Sequence, residues 1–72
     1  MKYIIVDPEI CHGKPVFKGT RIMVWEALDM LKAGESVESI TRSFPSLNKE
    51  MIEEALEYAV KVLKAEEYVR FT

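Results

Sequence analysis

Apolar positions change their period once along this chain, and the change divides it into two kinds of structure. Tyr3-Ile4-Ile5-Val6 is a short run of β-prone residues ended by Asp7-Pro8, a turn pair in which proline presets the backbone. Val16-Phe17 is a second such run. It follows Lys14-Pro15, where the residue before proline is pushed toward an extended backbone, and it precedes a turn at Gly19-Thr20. From Val24 the spacing becomes helical, with Val24, Leu28 and Leu31 on one stripe and Trp25 beside them.

The punctuation then predicts three helices. The first runs from about Met23 to Ala33 and ends at Gly34, with Lys32 near its negative end. Ser36 caps a second helix, roughly Val37 to Phe44, which Pro45 stops. Asn48 is placed to cap a third. Because Pro45-Ser46-Leu47 is a short turn, helices two and three stand in helix-turn-helix order. Helix three is the longest periodic segment. Ile52, Leu56, Ala59 and Leu63 form one stripe and Met51, Ala55, Tyr58 and Val62 another, so its apolar surface is wider than one small core needs. The expected fold class is α+β, a single domain over residues 1–72: a short N-terminal β-ribbon (1–22), a three-helix helix-turn-helix-like bundle (23–63), and a last stretch (64–72) that either prolongs the helix or peels away as a tail.

Size changes this picture by adding a partner. A chain of 72 residues buries only about 60% of its unfolded surface, and its single cysteine cannot form an internal disulfide. A homodimer is therefore expected. Tyr3, Ile4, Ile5 and Val6 would pair it through an uncovered strand edge, or Met51, Tyr58 and Val62 through helix three. At 49% apolar and 31% charged the composition is that of a folded domain, and no apolar run approaches a membrane span. The default location is cytoplasmic.

Candidate chemistry is sparse. Cys11-His12 is too little for a zinc site or a nucleophile with its base, so no metal, cofactor or catalytic residue is expected. Lys14, Lys18 and Arg21 surround the Gly19-Thr20 turn. They either recognise an anion or pin the ribbon, with Arg21 bridging to Glu26 or Asp29. Arg42, Ser46, Asn48 and Lys49 stand where a helix-turn-helix would meet DNA. The net charge of −2, and the row Glu50, Glu53, Glu54 and Glu57 on helix three, oppose a phosphate backbone and suit a protein partner instead.

Gly13-Lys14-Pro15, Gly19-Thr20-Arg21-Ile22, Val24, Ala33-Gly34-Glu35-Ser36-Val37, Ile40, Phe44-Pro45-Ser46-Leu47, Ile52, Ala55-Leu56 and Tyr58-Ala59 resemble the domain of unknown function 433 family over roughly residues 3 to 60. The resemblance implies a winged or plain helix-turn-helix protein similar to VapB-type antitoxins. Such a protein pairs with a PIN-like ribonuclease toxin and can also repress its own operon as a dimer. The alternative it leaves is a free-standing dimeric DNA-binding protein. On the antitoxin reading, Glu50, Glu53, Glu54 and Glu57 oppose the toxin's basic surface, and Lys64 and Arg70 place a cation near its metal-binding carboxylates while Tyr68 and Phe71 anchor the segment.

Overall fold

A computed structural model describes residues 1–65. Two two-residue strands, β1 (Ile4–Ile5) and β2 (Val16–Phe17), pair antiparallel, with Ile4 opposite Phe17 and Ile5 opposite Val16. The Lys18 amide donates to Tyr3 O at 2.7 Å, closing the ladder. The other edge of β2 is also occupied. The chain reverses at Gly19, whose φ of +81° suits glycine, and returns so that Phe17 N–H meets Ile22 O and Val24 N–H meets Pro15 O, both at 3.0 Å. Thr20 holds this reversal with one hydroxyl, which donates to Phe17 O (2.8 Å) and accepts from Ile22 N–H (3.0 Å). The Gly19-Thr20 turn expected from the sequence is thus a built device, and it delivers the chain into the first helix.

Three helices follow: α1 (Val24–Lys32), α2 (Val37–Ser43) and α3 (Lys49–Ala65). Each begins and ends for a local reason. Glu26 reaches back to accept Met23 N–H at 2.9 Å at the start of α1. At its end Glu35 N–H bonds Met30 O and Gly34 N–H bonds Leu31 O around a Gly34 φ of +94°, a Schellman arrangement. Ser36 Oγ accepts from Ser39 N–H (3.1 Å) and Asn48 Oδ1 from Met51 N–H (2.9 Å), so both expected caps are in place.

The core is formed where all these elements meet, with Phe17, Ile40 and Ile52 fully buried and Ile4, Val24, Ala27, Leu47, Met51 and Ala55 around them. Ile4 therefore faces inward, and Met51 is equally inaccessible. Neither side chain can serve the dimer contact expected of it. The strand edge is a separate matter. The Lys18–Tyr3 bond and the turning-away of Phe17 N–H leave the Ile4 backbone groups pointing outward from β1.

Glu54 is the long-range tie. Its carboxylate accepts the Lys2 and Tyr3 amides at 3.1 and 2.6 Å, clamping the entry to β1 onto the middle of α3. Its expected place in a partner-facing acidic row is thereby corrected, because both carboxylate oxygens are engaged within the chain. Arg21 is corrected too. The acids expected to hold it are used elsewhere, Glu26 on Met23 N–H and Asp29 on Lys32 (3.0 Å), and among the described residues Arg21 makes no ion pair.

A charge-assisted pair of backbone hydrogen bonds, partly screened by solvent, is worth about 1–2 kcal/mol here. Glu54→Ala is expected to lower the unfolding free energy by that amount in urea titration, while Glu53→Ala, on the exposed face, stays within about 0.5 kcal/mol. Equal effects from the two substitutions would show that the clamp contributes nothing. Phe17→Ala should cost about 3–5 kcal/mol and Trp25→Ala less than about 1 kcal/mol, the first side chain being fully buried and the second 54% exposed.

Candidate functional site

The fully buried residues of α3 end at Ala55, with Tyr58 packed partly buried against the core after it, but the helix continues to Ala65. Its second half crosses α1 with apolar side chains that the small domain has no further element to cover. An open groove results, about 330 Å³ in volume and lined by Pro15, Val24, Trp25, Leu28, Tyr58, Ala59, Val62 and Leu63. Its walls are almost wholly hydrocarbon and aromatic. Trp25 is fixed at the rim, its indole N–H donating to Met23 Sδ at 3.3 Å. A groove of this size is at the small end for a small-molecule pocket, and it presents no convergent polar groups to orient a substrate. It suits one or two apolar side chains of another protein.

The surplus apolar surface expected on α3 is therefore real, and its geometry is more specific than the sequence indicated. Val62 lines the groove, Tyr58 is half-buried in it, and Leu56 and Val60 point to solvent beyond it. Trp25 and Leu28 complete the site from α1. Their signal was the tryptophan standing just beside a helical stripe instead of on it.

The acidic row divides. Glu50, Glu53 and Glu57 are exposed, Glu57 pairing with Lys61 at 3.3 Å, whereas Glu54 holds the N-terminal amides. At the helix-turn-helix corner Leu47 is buried, which turns Arg42, Ser46, Asn48 and Lys49 outward together. The Asn48 side-chain oxygen is already spent on its cap. Tyr68, Arg70 and Phe71 lie outside the described residues.

Lys14, Lys18 and Arg21 are all exposed near the Gly19 turn. Against it lies an unexpected feature: Cys11, His12 and Gly13 are three successive residues with positive φ (+50°, +58° and +80°). This left-handed turn is closed by Gly13 N–H to Ile10 O and Lys14 N–H to Cys11 O. It brings the Cys11 thiol to 3.9 Å from Arg21 O. The thiol is half-buried. Among the described residues no group of three or more His, Cys, Asp or Glu is placed to hold a metal ion. Nor is any described helix long and apolar enough to cross a membrane.

Comparison with known proteins places these features in a family. The uncharacterized protein y4eO of Sinorhizobium fredii (strain NBRC 101917 / NGR234) is 42% identical over 53 residues, which are 74% of this chain and 24% of that protein. A crystal structure of a DUF433 member protein from Anabaena variabilis matches with a TM-score of 0.78 at 23% identity, over 90% of this chain and 64% of the other. That likeness shows a shared fold. The chain thus spans about a quarter of the curated relative and under two thirds of the structural one. Residues 4–59 match the family described as "Protein of unknown function (DUF433)", and the chain belongs to that family.

Proposed function

We propose that this chain is a non-enzymatic binding module, the antitoxin half of a toxin–antitoxin pair, and that the α1–α3 groove is where its partner docks. The observation that carries this reading is the groove itself: an apolar cleft with a half-exposed tryptophan at its rim. Aromatic anchors in such clefts carry much of the energy of protein–protein contacts. The partner class comes from the resemblance to VapB-type antitoxins, whose targets are PIN-like ribonucleases. Exposed Glu50 and Glu53 support it electrostatically, since an enzyme that cuts RNA needs a basic surface for its substrate.

A second reading rests on the corner between α2 and α3. Arg42, Ser46 and Lys49 are all solvent-facing there, at the end of α3 a DNA phosphate would approach, so a dimer could repress its own operon. The acidic residues that follow on the same helix weigh against strong autonomous binding.

Co-purification with a PIN-like ribonuclease encoded beside the gene, followed by an RNA-cleavage assay, tests the first reading. The 72-residue chain should bind and inhibit. Trp25→Ala should weaken inhibition roughly tenfold or more while leaving the unfolding midpoint nearly unchanged. No binding by the intact chain would end the antitoxin reading. Full inhibition by Trp25→Ala would move the contact away from the groove, and inhibition unchanged by truncation after Leu63 would remove Tyr68, Arg70 and Phe71 from it. For DNA, a gel shift on the chain's own promoter should fall with rising salt and be reduced by Lys49→Glu.

A further inference from the structure

The groove leaves part of the apolar surface of α3 unexplained. Leu56, Val60 and Leu63 are 48%, 50% and 65% exposed. At about 100° per residue they fall within an arc of roughly 60°, on the flank of the helix that continues the row of the buried Ile52 past the end of the core. Charge along the same helix is uneven. After Lys49, Glu50, Glu53, Glu54 and Glu57 occupy its first half, and Lys61 and Lys64 follow in its second. Glu53, Glu57 and Lys64 run along the solvent-side border of the exposed stripe, by the same angular spacing.

We propose that two copies of this chain pair through α3, antiparallel, about a twofold axis near Val60. This docking does not depend on the partner reading above and shares only Leu63 with the groove. In that arrangement Val60 meets its own copy at the axis and Leu56 packs on the copy's Leu63, so each apolar residue finds an apolar partner. Borders that match under the twofold operation then bring Glu57 of each chain beside Lys64 of the other, twice over. The Glu57 and Lys64 positions select this orientation. A parallel pair would set Glu57 against Glu57 and Lys64 against Lys64, whereas the antiparallel pair sets Glu57 of each helix beside Lys64 of its mate. The Glu57–Lys61 contact within one chain does not compete strongly, because an exposed i,i+4 pair is worth little. A second copy is favoured as occupant because the stripe and its charged border are complementary to themselves.

Sedimentation of the 72-residue chain from low to high micromolar concentration tests the proposal. A concentration-dependent dimer is expected. Val60→Glu should abolish it while circular dichroism stays that of the parent, since the side chain is half-exposed. Glu57→Lys should weaken dimerisation by roughly tenfold, and E57K/K64E, which restores both cross-chain pairs with their signs exchanged, should recover it to within about threefold. Trp25→Ala should leave the dimer intact, separating this surface from the groove. Leu63 borders both surfaces and is left unchanged. A monomer at all concentrations would overturn the proposal. So would a dimer that survives Val60→Glu but is lost on Ile5→Pro, which would assign pairing to the β1 edge. If Val60→Glu unfolds the chain, the charge exchange decides alone: no recovery in E57K/K64E overturns the antiparallel register.

Discussion

A two-residue strand pair has no stability of its own in water, and the whole N-terminal third of this protein depends on how that deficit is met. Two contacts meet it. Phe17 drops from the ribbon into the centre of the helical core, and the Glu54 carboxylate takes the amides of Lys2 and Tyr3 from the opposite side. Apolar burial supplies most of the energy, but it is non-directional. The carboxylate adds direction, fixing where along α3 the strand is seated and so which of its residues, Ile4 in place of Val6, reaches the interior. With the ribbon seated, β2 is held on both edges and the Thr20 reversal launches α1 at the angle that opens the groove.

The parts of the fold readable in the sequence are those decided locally. Ser36, Asn48 and Gly34 act within a few residues of themselves, and each has a side chain, or lacks one, for a reason visible in the string. The change of period near Val24 belongs to the same class. Glu54 belongs to another. It stands among four glutamates at helical spacing, a pattern that reads as one solvated face, and its partners are backbone amides some fifty residues away, which any residue but proline supplies. The left-handed turn at Cys11-His12 is signalled only weakly, because histidine is among the residues enriched at positive φ but cysteine is not, and such positions are uncommon for any residue but glycine.

The candidate site shows the same division. That α3 has more apolar surface than the domain can cover follows from counting its stripes, but which residues remain uncovered depends on where the other elements run out. Leu56 shares a stripe with Ile52, yet one is half-exposed and the other fully buried, because the cover over that stripe stops between them. The groove is a product of that mismatch in length: α3 outreaches the bundle it belongs to, and the excess forms one wall of the groove.

The Glu54 clamp also fixes an order of events. Lys2 and Tyr3 leave the ribosome long before residue 54 does, and at roughly 5–20 residues per second the delay lasts seconds, far longer than a hairpin needs to form and dissolve. Throughout that interval the ribbon has its residues but neither its seat nor its carboxylate. A nascent chain halted before α3 would therefore present Ile4, Ile5, Val16 and Phe17 uncovered, the kind of apolar, strand-forming segment that chaperones and proteases recognise. A helix made well after the first strand is what certifies that strand as native.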